Sequence, residues 1–343
     1  MNDLSPYYHL AREFALSTNR SIFLTGKAGT GKTTFLHKLK KETKKQMAIV
    51  APTGVAAINA GGTILQSFIQ PPFTPFNPTV EGRKELVEKI KMQGFRRKVI
   101  QELELLVIDE ISMVRADVLD AVDTILRHIR YKHNEPFGGV QVIFIGDMFQ
   151  LSPVAVDEEW RILSQYYRSP YFFHSQVITQ QQPVYIELDK IFRQTNADFI
   201  QVLNEVRNNK LSENGLALLQ SRYNPLFVPP KDDTYITLTT HNYKADKINA
   251  EELVKLKGKT YRFDAEIKGD FPEKAYPTEK QLELKIDAKV IFIKNDTETP
   301  RRFFNGKIGI IQSIDDDIIT IKCPDDDFVI ELGKMMWENI RYS

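Results

Sequence analysis

The chain has 343 residues, 42% of them hydrophobic and 27% charged, and a formal net charge of +1. That length suggests about two domains with room for a small third, and no apolar run approaches the roughly 18 residues that a membrane span requires. The lone Cys323 excludes an internal disulfide and fits a reducing compartment.

The start, Met1-Asn2-Asp3-Leu4-Ser5-Pro6, has no basic segment followed by an apolar core, so no export signal is read there. Tyr8 to Ser17 predicts an amphipathic helix, either a cap over a nucleotide base or plain core packing. Ser21 to Thr25 predicts a short buried strand and Lys32 to Thr43 a helix. Between them, Gly26-Lys27-Ala28-Gly29-Thr30-Gly31-Lys32-Thr33 fills every fixed position of G-x-x-x-x-G-K-[ST]. A strand that turns through glycines into a helix N-terminus points backbone N–H groups at phosphate oxygens. Gly26, Ala28, Gly29, Thr30, Gly31, Lys32, Thr33 and Thr34 are therefore the expected ATP contacts. Lys32 reaches the β- and γ-phosphates and Thr33 holds Mg²⁺.

Lys38, Lys40, Lys41, Lys44 and Lys45 read first as a solvated helix face. With the overall charge so balanced, any nucleic-acid contact must come from basic groups gathered locally. Gln46 to Ala51 predicts a second buried strand, followed by Pro52-Thr53-Gly54-Val55-Ala56-Ala57 and then Gly61 to Phe68. From Gln70 to Gly82, Pro71, Pro72, Pro75 and Pro78 alternate with Phe73 and Phe76. Proline excludes a regular helix there and leaves a stiff, aromatic-bearing segment. Its rings either stack on bases or pack back onto the core.

Leu103 to Ile108 is apolar except for Glu104, the pattern of a parallel strand covered on both faces. It closes on Asp109-Glu110, at the strand end where α/β sheets bind ligands. Asp109 can complete a Mg²⁺ shell, and Glu110 can orient and deprotonate a water. Arg115 to Arg130 predicts a helix, Pro136 to Gly139 a turn, and Val140 to Ile145 another buried strand. Gln150, just beyond that strand, is placed to sense the γ-phosphate. Alternating strands and helices predict a doubly wound parallel sheet.

Strands at Tyr185 to Leu188 and Tyr235 to Thr240 predict a second, smaller α/β unit, with helices at Asn196 to Arg207, Glu213 to Gln220 and Tyr243 to Leu256. Arg193 within it suits an arginine finger or a structural ion pair with Glu187 or Asp189. After about Gly258, strand signals dominate: Tyr261 to Ile267, Leu282 to Lys294, Lys307 to Ile314, Ile318 to Cys323 and Phe328 to Leu332.

Together these residues resemble the Pif-type DNA helicases, in the 5′-to-3′, RecD-like branch of superfamily one. Gly26–Thr33 is similar to motif I, Ala51–Ala57 to motif Ia, Asp109-Glu110-Ile111-Ser112-Met113 to motif II and Gly146–Val154 to motif III. Val118 to Gln141 resembles the stretch that marks the Pif group, Leu188 to Gln194 resembles motif IV, and Thr239–Asn242 resembles a DNA-contacting turn.

The resemblance implies an α/β P-loop NTPase with two RecA-like domains, the second incomplete, plus a β-rich SH3-like module. The boundaries are 1–180, with a wedge-like insert at about 69–82, then 181–257 and 258–343. It implies Lys32, Asp109, Glu110, Gln150 and Arg193 in catalysis, with Thr33 and Asp109 toward Mg²⁺. DNA contacts are implied for Pro52, Thr53, Gly54, Val55, Thr63, Ser67, Phe68, Phe73, His241 and Asn242. Gln66 stands where many relatives carry His. Two further family motifs are not met before Ser343, as in a truncated chain or a naturally shortened relative.

The implied activity is ATP-dependent, 5′-to-3′ translocation on single-stranded DNA, coupled to duplex or G-quadruplex unwinding in repair, recombination or telomere maintenance. The enzyme is expected to act as a monomer on single-stranded and forked DNA, in a bacterial nucleoid, nucleus or mitochondrion, without membrane attachment or secretion. The rival readings are a DNA-stimulated ATPase that translocates without unwinding, a small-molecule kinase and a non-catalytic nucleic-acid-binding remnant. A kinase has no need of Thr53, Gly54 and Gln150 in these contexts.

Overall fold

The structure is a computed structural model that describes residues 5–70, 74–90, 92, 94–192, 196–228, 235–268, 276, 278–294, 296, 298, 302–304, 306–324 and 326–336. Chain contacts divide it into two compact units, Met1–Tyr223 and Asn224–Ser343.

In the first unit the chain runs α1 (Pro6–Ser17), β1 (Ile22–Gly26), α2 (Lys32–Glu42), β2 (Met47–Ala51), α3 (Gly54–Asn59), β3 (Thr63–Ile64) and α4 (Leu65–Ile69). It continues through α5 (Val80–Lys89), α6 (Gly94–Glu102), β4 (Leu105–Ile108), α7 (Ala116–Ile129), β5 (Gln141–Ile145), α8 (Asp157–Leu163), α9 (Gln176–Gln180), β6 (Val184–Leu188), α10 (Ala197–Arg207) and α11 (Glu213–Ser221). The six strands form one parallel sheet in the order β3-β2-β4-β5-β1-β6.

β4, and β5 after its hydrogen-bonded Gln141, are apolar and buried along their whole length because both sheet faces are covered. Successive side chains alternate between two cores. Leu106, Ile108, Val142 and Phe144 pack with α5, α6 and α7. Leu105, Val107, Ile143 and Ile145 pack with Tyr8, Ala11 and Ala15 of α1 and with Phe35, Leu36 and Leu39 of α2. Helix α1 is thus a core helix on that face.

Three buried carboxylates, Asp117, Asp120 and Asp123, recur every third residue on α7, and each holds a different segment of chain. Asp117 accepts the Phe76 N–H at 3.1 Å and is gripped by both arms of the Arg115 guanidinium, which also pairs with Glu159. Asp120 accepts the N–H groups of Gln176 and Val177, each at 2.9 Å. Asp123 accepts the Phe137 N–H and pairs with Arg127.

Several expectations are corrected. The boundary expected at 181 puts β6 in a second domain, but β6 pairs in parallel with β1, from Ile22↔Val184 to Gly26↔Leu188. The first sheet therefore runs past residue 180, and α10 and α11 belong to the first unit. Of the two alternatives left open for the phenylalanines, Phe76 takes core packing beside α7, while Phe73 lies outside the described residues. Two helices follow that proline-rich stretch, and the first is capped by Thr79, whose hydroxyl accepts the Gly82 N–H at 3.0 Å.

The second unit holds α12 (Asn242–Lys255), β7 (Tyr261–Asp264), β8 (Gln281–Leu284), β9 (Lys289–Ile291), β10 (Ile308–Asp315), β11 (Ile318–Lys322) and β12 (Val329–Leu332). β7 pairs with β8, and the other four form an antiparallel sheet in the order β12-β11-β10-β9. Its small core gathers Phe292, Phe303, Ile311, Ile321 and Ile330. The single long strand expected over 282–294 is broken at Asp287, whose φ of +66° turns the chain. The described residues 235–240, expected as a strand, form none; Ile236 and Leu238 are exposed and no described strand pairs with them.

Candidate nucleotide site

β1 ends on Gly26, which pairs with Leu188 of β6. A Cβ at Gly26 would stand 2.6 Å from the Leu188 carbonyl oxygen, and its φ is +148°. Only glycine fits both constraints. The chain then passes Thr30, whose hydroxyl donates to the Lys27 carbonyl at 2.9 Å, and reaches Gly31 at φ +91°. Gly31 precedes α2 without any side-chain cap, so the first-turn amides of the helix face the loop. Ala28, Thr33 and Thr34 are exposed, and Gly26 and Thr30 are buried.

The Lys32 ammonium donates to the Gly26 carbonyl at 2.6 Å and the Lys27 carbonyl at 3.1 Å, which sets it inside the loop. Burial lowers its pKa, opposed by the nearby negative charges of Asp147, Glu110 and Asp109. These carboxylates reach it because β4, β5 and β1 are neighbours and each ends on the same edge of the sheet.

Asp109 is half-buried at the end of β4, and its Oδ1 accepts the Glu110 N–H at 3.0 Å. Burial raises the Asp109 pKa; burial, and then the adjacent Asp109 charge, raise that of Glu110. Glu110 stands at φ +51°, an uncommon backbone region for a residue with a side chain. A carboxylate with a raised pKa is a better proton acceptor near neutral pH than an ordinary one.

Asp147, just past β5, is the site residue that sequence reasoning did not single out. It is 2% exposed. The Arg207 Nη1 donates to both its oxygens, at 2.6 Å to Oδ1, and the Gln150 amide donates to Oδ2 at 3.1 Å. The Phe149 N–H donates to Oδ1 at 3.1 Å. Burial pushes its pKa up, but these donors, Arg207 first, hold it below the ordinary carboxylate range. Arg207 is the last residue of α10 and its guanidinium carbon lies 4.3 Å from the Phe149 ring centroid. No local signal could have found it; its partner is 60 positions away.

Arg193 lies outside the described residues. The segment just before it is fastened to the loop, since the Phe192 N–H donates to the Gly29 carbonyl at 2.8 Å. The two carboxylates weighed as its partners are both engaged by hydroxyls: Glu187 by Tyr185 at 2.7 Å and Asp189 by Ser5 at 2.6 Å.

Of the expected DNA contacts, Pro52, Thr53 and Gly54 follow β2, Thr63 lies on β3, and Ser67 and Phe68 lie on α4. They share the edge of the sheet, because β3 pairs only with β2. Thr53 accepts the Ala56 N–H on its hydroxyl and the Ala57 N–H on its carbonyl, opening α3. Thr63 and Ser67 are exposed, and Phe68 packs against the core. Val55 follows Gly54 in α3. His241 precedes α12 in the second unit, with its ring Nδ1 2.8 Å from the Thr240 hydroxyl; Asn242 begins that helix.

A doubly wound parallel sheet with this loop at β1, an acidic pair at β4 and a polar turn at β5 defines a P-loop α/β protein. The profile described as PIF1-like helicase matches residues 7–215, and the chain belongs to that family.

The ATP-dependent DNA helicase Pif1 of Psychrobacter sp. is 33% identical over 315 residues, which cover 86% of this chain and 44% of that protein. The chain thus spans less than half of that relative. A solved structure described as DNA unwinding at forked dsDNA by two coordinating Pif1 helicases matches with a TM-score of 0.84 at 38% identity, over 98% of this chain and 77% of the other. The Bacteroides Pif1 helicase in complex with ADP-AlF3 and ssDNA matches with a TM-score of 0.83 at 37% identity, over 99% and 76%.

Proposed function

We propose that this chain is the motor part of an ATP-dependent DNA helicase that translocates 5′-to-3′ on single-stranded DNA and opens duplex or forked DNA. The observation that carries this reading is the Lys32 ammonium held inside the phosphate loop by the Gly26 carbonyl, with Asp109, Glu110 and Asp147 following β4 and β5 of the same parallel sheet. The loop amides and Lys32 bind the triphosphate, Glu110 orients the water and accepts its proton, and Gln150 senses the γ-phosphate. Arg193 serves as the arginine finger.

The donor set also fits Mg²⁺. Among the described residues no group of three His, Cys, Asp or Glu forms a cage for a cation. Mg²⁺ is commonly held by one or two carboxylates together with substrate phosphates. Thr33 and Asp109 would hold it, and it would neutralise charge between the β- and γ-phosphates.

Thr53, Gly54, Thr63 and Ser67 then line a DNA path at the sheet edge of the first unit; His241 is assigned a DNA contact of its own. They bind mostly phosphate and sugar, so recognition is largely independent of sequence and weakens with salt. The site of action follows the DNA, nuclear, mitochondrial or nucleoid. No helix among the described residues is long and apolar enough to cross a membrane.

The test is strand separation on forks carrying either a 5′ or a 3′ single-stranded tail, with ATP turnover followed in parallel. Unwinding only from the 5′ tail supports the helicase reading. Turnover stimulated by single strands without strand separation leaves a translocase, and turnover indifferent to DNA excludes both.

A further inference from the structure

We propose that Arg207 is a positioning residue that sets the Gln150 amide through the Asp147 carboxylate, and so couples helix α10 to the sensing of the γ-phosphate. The proposal rests on the nucleotide reading above.

Asp147 is a buried anion, and such a group persists only when paired and hydrogen-bonded. Arg207 supplies its cation, from a side chain only 15% exposed. The remaining acceptor capacity is filled by the N–H of Phe149 and the amide of Gln150. The Gln150 N–H also donates to the Asp147 carbonyl at 3.0 Å, which closes the turn. The Gln150 side chain is otherwise exposed, so the Asp147 carboxylate fixes where its amide points. The Arg207 guanidinium lies against the exposed ring of Phe149 as it grips the carboxylate. Lysine reproduces the charge but not the flat contact with the Phe149 ring. Loss of Arg207 therefore frees the Gln150 amide.

The experiment is a double-mutant cycle on DNA-stimulated ATP turnover with Arg207→Gln, Gln150→Ala and the double variant, and with Arg207→Lys as the conservative control. Arg207→Gln is expected to lower kcat by about 10- to 100-fold, the penalty of a misplaced catalytic group, with KM for ATP nearly unchanged. Arg207→Lys recovers part of that loss. In the Gln150→Ala background Arg207→Gln costs at most about twofold more, because both changes break one unit. If Arg207→Gln is too unstable to purify, Arg207→Lys carries the same cycle at smaller amplitude. Multiplicative losses in the double variant, or wild-type kcat in Arg207→Gln, overturn the proposal while leaving the nucleotide reading intact. A wild-type turnover no higher than that of Lys32→Ala removes the nucleotide reading and this proposal with it.

Discussion

Replacing Gly26 by alanine tests whether the first glycine of the phosphate loop is demanded by the sheet rather than by the ligand. The added Cβ meets the Leu188 carbonyl oxygen at 2.6 Å, and that atom belongs to the backbone of the paired strand. It also meets the Thr30 hydroxyl at 2.6 Å, which can rotate away. The φ of +148° adds strain of about 1–3 kcal/mol for any residue but glycine. Pushing β6 off its neighbour adds about 1–3 kcal/mol more, as overpacking does elsewhere. For a unit of this size the sum corresponds to a fall in Tm of roughly 5–20 °C. Gly31→Ala is the control, since its Cβ meets only the Phe192 ring, at 3.9 Å, and its penalty is the left-handed φ of +91° alone. That penalty is about 1–2 kcal/mol. Thermal melts of both variants, with and without an ATP analogue, make the comparison. Gly26→Ala within about 1 °C of wild type, or Gly31→Ala as destabilising as Gly26→Ala, would refute the reasoning.

Three other outcomes are expected. Glu110→Gln binds ATP normally and loses turnover by about 10²–10⁴, because an amide accepts no proton; equal turnover, measured under saturating DNA, would make Glu110 structural. Arg193→Ala keeps ATP affinity and loses about 10³ in rate, the lower end for an arginine finger; a lower Tm with per-molecule turnover retained would mark it as a structural residue. Asp120 is raised by burial from 3.8 to about 6. The folded chain therefore binds that proton more tightly, so its contribution to stability is greatest below about pH 4 and is lost as pH rises through about 6, by roughly 3 kcal/mol. Urea unfolding at about pH 5 and 7.5 should show this slope in wild type and a flatter one in Asp120→Asn, and equal slopes would contradict it.

What could be read from the sequence follows from how local each constraint is. The phosphate loop was legible because strand, glycines, Lys32 and the helix start all lie within a dozen residues. β4 and β5 were legible because burial on both faces makes their runs apolar, apart from the hydrogen-bonded Gln141. Helices α5 and α6 were hidden by the prolines before them, although Thr79 followed by Glu81 is an ordinary helix start. The residues of β6 specify a strand but not its neighbour, so its pairing with β1 could not be read from them. Asp147 and Arg207 were missed for the same reason. Their meaning lies in a pairing that the fold creates between the end of β5 and the end of α10.

Hydrolysis of ATP by the Lys32 loop in response to single-stranded DNA is the step on which the proposed motor depends. The measurement is steady-state ATP turnover of the chain against increasing single-stranded DNA, with Lys32→Ala as the matched control. Turnover is expected to rise with DNA to saturation in the wild type and to stay at background in a Lys32→Ala protein with an unchanged melting profile. Wild-type turnover that ignores DNA, or Lys32→Ala turnover within a few-fold of wild type, would contradict it.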